Sequence, residues 1–192
     1  MEIDAALPEG EDEGKDRTLN RLVAMTVVIL SVFMAVANIK DDNLVQAMQL
    51  SKSDAIDTWS EYQATKTKAH IVDTARTEMA LIAGDTPSAA ARTAFATMDA
   101  EAKKYAAEAP MLKAKAQADD AQYDALNVHD DQFDMSDALI SIAVSLAAVA
   151  ALAETRWLLF TAWGFAGFGL LMGIAGFAGW AIHPNALASF LS

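Results

Sequence analysis

Apolar residues in this chain gather into three stretches that carry no charge apart from Asp137 at the edge of the second. Leu22 to Ile39, LVAMTVVILSVFMAVANI, holds eighteen residues without a charge, about the shortest helix that crosses a hydrocarbon core. A second stretch covers 135–153, with Asp137 at its headgroup edge. The third, 157–182, carries Trp157, Trp163 and Trp180, and the outer two sit where amphipathic rings prefer the membrane interface. The pattern predicts three transmembrane helices. Glu154, Thr155 and Arg156 alone separate the last two, so these are expected to run antiparallel.

Between the first and second spans lies a long insert, 40–134, with a different rhythm. It contains two prolines and one glycine, Pro87, Pro110 and Gly84, so strong helix formers fill it. Gly84-Asp85-Thr86-Pro87 is its sharp stop and reads as a helix end, a turn and a proline near the next start. The insert is therefore expected to be an antiparallel helical hairpin with its apex near 84–87. At about 1.5 Å per residue, each arm could project roughly 65 Å if straight. On the descending arm Ala91, Phe95, Met98, Ala102, Tyr105, Ala109, Leu112, Ala116, Asp119, Tyr123 and Leu126 alternate at four and three. This is a coiled-coil register with a polar position at Asp119. The ascending side reads as Leu44, Met48, Ala55, Trp59, Tyr62, Ala69, Val72, Met79 and Ile82. Alanine at so many seam positions buries little area per contact, which predicts lateral partners. Pro110 should kink its arm, and pairing about the apex sets it near Trp59 and Tyr62, whose rings are expected to fill that space. The fold class expected is all-α: three spans plus this inserted hairpin.

Composition splits along the same lines. The 192 residues are 54% hydrophobic and 21% charged, figures that reconcile only if apolar and charged residues occupy separate segments. Segment 1–21 holds seven acids and reads as a disordered acidic tail; 183–192 reads as a short C-terminal tail. The first span is taken as a retained anchor rather than a cleaved leader, although Ala35-Val36-Ala37 resembles a cleavage site. Lys15, Arg17 and Arg21 precede the first span and Arg156 lies between the last two, against Lys40 and Lys52 on the other side. The positive-inside rule then puts the N-terminus in the cytoplasm and the hairpin and C-terminus in the periplasm.

Charge and residue types narrow the chemistry. A net charge of −12 argues against nucleic acid, which needs clustered Lys and Arg. With no cysteine, thiol nucleophiles, disulfides and thiolate metal sites are excluded. His70, His129 and His183 share no helix face at ligand spacing. Apart from Asp137 the spans hold no ionisable residue, which disfavours pumps and coupled transporters. Asp41, Asp42, Asp130, Asp131, Asp134 and Asp137 form an acidic collar where the insert meets the membrane. Such carboxylates are a weak candidate for a hard cation. The third span carries a small-residue stripe, Ala162, Ala166, Gly169, Gly173 and Gly176, and the second a lesser one, Ser141, Ser145 and Ala148. Stripes of this kind let helices approach closely, within one subunit or between subunits. Gly164, Gly167 and Gly179 could serve a second contact.

LNRLVAMTV, SDAIDTWSEYQATKTKAH, HDDQFDMSDALISIAVSLAAVAAL and TRWLLF together resemble a family of bacterial inner-membrane proteins catalogued as a domain of unknown function. The recurring elements are Trp59, Tyr62, Gln63 and Ala64, followed by Lys66 and His70, and Phe133-Asp134 before the second span. The resemblance implies one span, a helical insert and a two-span hairpin, and supplies no reaction.

No nucleophile, base and oxyanion set can be assembled from these residues, so neither an enzyme nor a cofactor is expected. The reading is a non-enzymatic inner-membrane scaffold, in contact with lipid and either homo-oligomeric or an accessory subunit of a membrane complex. Gly169, Gly173, Gly176, Ala162, Ala166, Trp59 and Tyr62 are its candidate interaction residues. A homo-oligomeric pore lined by Thr26, Ser31, Ser141 or Ser145 is the alternative.

Overall fold

A computed structural model describes residues 12–180 and Ile182, with side chains from Arg17 onward. Among them are three α-helices and no strand: α1, Asp12–Ala83; α2, Ala89–Leu152; and α3, Arg156–Ala178. Each contains a segment long and apolar enough to cross a membrane. Two compact units divide the chain, one formed by 1–46 with 126–192 and one by 47–125.

In the first unit the ends of α1 and α2 pack with α3. One core cluster joins Leu19 and Val23 of α1 to Ala147 and Ala150 of α2 and Leu159 and Ala162 of α3. A second joins Leu30 to Ile140, Ala143 and Ala166. Small residues on α2 and α3 bring the helices close, while Met25, Val28, Ile29, Val32 and Val36 on the far face of α1 stay exposed. That division suits a helix whose outer face meets lipid.

Two expectations are corrected here. Helix α1 starts at Asp12, ahead of the expected span, and Leu19 is buried, so the tail predicted over 1–21 is helical in its described part. Leu19 and Val23, one helical turn apart, continue the apolar stripe of the span. Residues 1–11 and the tail expected at 183–192 lie outside the described residues. The buried face of α2 is Ile140, Ala143, Ala147 and Ala150; Ser141, Ser145 and Ala148 lie exposed. The Ser145 hydroxyl donates to its own helix at Ser141 O, 2.8 Å away, so it needs no partner helix.

Helix ends follow local chemistry. Gly84, after α1, takes φ +58°, left-handed backbone that glycine adopts without a Cβ clash. Ser88 caps α2, its Oγ accepting from Ala91 N at 3.2 Å. After α2, Glu154 takes φ +50° and Thr155 N donates to Ala150 O at 3.0 Å. Gly179 closes α3 at φ +68°, with Trp180 N donating to Ala175 O at 3.0 Å, the six-to-one bond of a Schellman cap.

In the second unit all the descending seam positions from Ala91 to Tyr123 are buried or half-buried. On α1 the seam is partly different from the one expected. Ser51, Thr58 and Thr65 are buried beside Met48 and Ala55, and Ile82, placed in the seam by sequence, is 87% exposed. Pro110 lies inside α2 without ending it.

Candidate functional site

Residues of α2 just before its apolar segment gather the polar chemistry of the first unit. Gln132 is fully buried. Its Nε2 donates to Trp180 O at 2.7 Å and Ile182 O at 2.6 Å, tying the chain beyond α3 back to α2. The Oε1 of Gln132 then faces His129 Nδ1 at 3.1 Å. Since Oε1 can only accept, His129 must carry its proton on Nδ1 for this bond. Sequence reasoning missed Gln132, because an uncharged residue among aspartates gives no signal until its partners are known.

Beside it, the collar is sorted rather than pooled. Asp41 of α1 and Asp130 of α2 are half-buried and near enough for their charges to couple, while Asp42 and Asp134 are more exposed. Burial, followed by the charges of Asp130, Asp134 and Asp42, lifts the Asp41 carboxyl to about 6. Asp130 and Asp134 are also raised, each by burial first and then by neighbouring aspartates. The oxygens Asp41 Oδ1 and Asp137 Oδ1 are buried without a partner. Among the described residues no three acids or histidines are grouped so as to hold a metal ion. The collar expected from Asp41, Asp42, Asp130, Asp131 and Asp134 is therefore not arranged as a cation site.

The small-residue stripe of α3 is buried within its own unit. A Cβ on Gly173 would lie 2.7 Å from the Phe33 ring and from Ser136 Oγ, one on Gly169 2.9 Å from Ile140, and one on Gly176 2.9 Å from Phe133. Phe177 completes this layer, meeting Phe33 and Phe133 edge to face at 6.2 and 5.1 Å. Ala162, Ala166, Gly169, Gly173 and Gly176 are thus taken up by packing inside the chain. Gly164 and Gly167 face open space. Of the residues considered for a pore, Thr26 accepts from Trp163 Nε1 at 3.0 Å.

In the second unit, Trp59 and Tyr62 stack edge to face at 5.6 Å. They part from the expectation of jointly filling space beside Pro110. Tyr62 does line a groove of about 380 Å³ with Lys66, Tyr105, Pro110 and Lys113, whereas the Trp59 indole donates to Asp120 Oδ2 at 2.8 Å. That bond, helped by Lys52 Nζ at 3.4 Å, holds the Asp120 carboxyl below its ordinary range against the opposing effect of burial. Asp119, the polar position of the seam, accepts from Ser51 Oγ at its carbonyl, 2.9 Å away. Nearer the turn, Arg76 pairs with Asp99 at 2.6 Å.

These features define an all-helical protein with three helices long and apolar enough to cross a membrane, which suggests a membrane protein. The chain belongs to the DUF4337 family, a domain of unknown function, which matches residues 19–179. No curated protein and no solved structure matches it.

Proposed function

We propose that this protein is a non-enzymatic scaffold of the bacterial inner membrane, anchored by three spans and presenting its insert as a coiled-coil-like hairpin to a protein partner. The partner is a second copy of the chain or a larger membrane complex to which it is an accessory subunit. One observation carries the reading: Leu50, Ile56, Ile71, Leu81, Ile82 and Met111 of the second unit are exposed, yet none lies in the apolar spans. Contiguous apolar surface outside the lipid marks an interaction site, and the adjacent Leu81 and Ile82 at the end of α1 are the most exposed of these. The thin alanine seam supports the same conclusion, because it leaves the paired helices with little buried area of their own.

The positive-inside count supports a cytoplasmic N-terminus, with the insert and the C-terminus in the periplasm. A reporter fused after Ser192 that proved active only in the cytoplasm would overturn that orientation. The scaffold reading is tested by purifying the full chain in mild detergent, measuring its native mass and identifying co-purifying chains. A homo-oligomer or a stoichiometric complex is expected; a lone monomer would overturn it.

A further inference from the structure

A groove of about 150 Å³ opens between α1 and α3 within the first unit, at the end where both helices enter their apolar segments. The two helices run in the same direction here: Leu19 and Val23 pack with Leu159 and Ala162, and farther along Leu30 packs with Ala166. Buried Leu19 and Leu159 form the floor, and Leu22, Phe160 and Trp163 form the walls. Phe160 and Trp163 meet edge to face at 5.6 Å. Trp163 Nε1 also donates to Thr26 Oγ1 of α1 at 3.0 Å, so this wall is pinned to both helices.

The groove is graded from charged to apolar. Its mouth holds Thr18 and Arg156, just ahead of the uncharged runs that begin at Leu22 and Trp157. Arg156 is exposed and forms no ion pair among the described residues, not even with Glu154 two residues away. Among the described residues no acid lines the groove. From Arg156 to Trp163 it follows about 10 Å of helix rise. Spread over that length, its volume has the cross-section of one extended hydrocarbon chain, not of another helix about 10 Å across. A cation at headgroup level above an apolar slot that descends into the bilayer matches a phospholipid in order and direction, phosphate first and acyl chain after.

We propose that this groove binds one anionic phospholipid, its phosphate held by the Arg156 guanidinium and one acyl chain laid against Leu22, Phe160 and Trp163. The site rests on the helices spanning a membrane, and not on the insert having a partner. The guanidinium fork matches two phosphate oxygens at once. A zwitterionic lipid carries its own cation beside the phosphate, so charge complementarity favours a headgroup with net negative charge.

The test follows phosphatidylglycerol binding to the delipidated full chain by native mass spectrometry in mild detergent. Recovery of the chain in the membrane fraction beforehand tests the membrane reading by itself. One phosphatidylglycerol per chain is expected, with Arg156→Gln weakening it about tenfold through loss of a charge-assisted contact. Phe160→Ala removes a wall residue that is 64% exposed, so it spares the core and should weaken binding several-fold. Arg21→Gln deletes the same charge from an exposed position outside the groove lining and should leave binding unchanged. Diacylglycerol, which has the chains without the phosphate, should bind at least about tenfold more weakly, and glycerol 3-phosphate, the head without the chains, should not compete. Equal losses in Arg156→Gln and Arg21→Gln would reduce the effect to surface charge and overturn the site. Competition by glycerol 3-phosphate, or binding of diacylglycerol as tight as that of phosphatidylglycerol, would overturn it as well.

Discussion

The Trp59 indole on α1 donates to Asp120 Oδ2 on α2 at 2.8 Å, while Lys52 Nζ approaches the other oxygen at 3.4 Å. This joins the one tryptophan outside the third span to a carboxylate, so the residue most suggestive of a partner-binding ring is occupied inside the chain. Trp59→Phe keeps most of the ring and removes the donor. We expect it to lower the melting temperature at pH 7 by a few degrees, measured by circular dichroism of the full chain. The sign with pH is fixed by the lowered Asp120 carboxyl. Its contribution is complete above the ordinary value near 3.8 and is lost as pH falls through the lowered one. The gap between wild type and Trp59→Phe should therefore close only in strong acid.

Glycines of α3 should divide into two classes on substitution. Gly173→Ala would place a methyl 2.7 Å from the Phe33 ring and Ser136 Oγ, an overpacking that costs about 1–3 kcal/mol. Gly164→Ala and Gly167→Ala meet open space and should be neutral or slightly stabilising, since alanine is the better helix former. Unfolding in micelles of fixed composition compares them; equal losses at Gly173 and Gly167 would contradict the packing described.

Glu154 holds a left-handed backbone at φ +50° between α2 and α3. A residue with a Cβ is disfavoured there by about 1–2 kcal/mol, so Glu154→Gly should stabilise the protein by about 1 kcal/mol in thermal unfolding. Glu154→Val, β-branched, should destabilise it instead.

Gln132 donates to two carbonyls beyond α3. Gln132→Leu leaves both without that donor and should cost about 1–3 kcal/mol. Trp180 lies at this junction, so a change in tryptophan emission and faster hydrogen exchange at Trp180 and Ile182 should accompany the loss. Unchanged exchange would show that the tie is dispensable.

Long uncharged runs made the helices that can span a membrane legible from sequence, because eighteen consecutive apolar residues have few other uses. The descending seam was equally plain, its four-three alternation carried by apolar residues at nearly every position. The α1 seam was obscured by hydroxyls: Ser51, Thr58 and Thr65 recur every seven residues and are buried, yet each counts as polar when read alone. The face of α2 was misjudged for a related reason. Ser141 and Ser145 resembled polar glue, but an alanine face, Ala143, Ala147 and Ala150, packs more closely, and a serine can satisfy its hydroxyl on its own helix. At the collar, charge density was visible while pairing was not, since which acids meet depends on the register between α1 and α2.

Ala102, Ala109 and Ala116 recur at seven-residue intervals along α2, and each presents the same methyl to the opposing helix. Sliding α1 by one heptad would meet the same methyl at these three positions, so the alanines themselves do little to fix the register. Trp59 with Asp120, Ser51 with Asp119 and Arg76 with Asp99 are unequal marks along that uniform track. They act as an index that singles out one alignment among several of similar apolar energy, and removing them together should leave helical content intact while making the pairing degenerate.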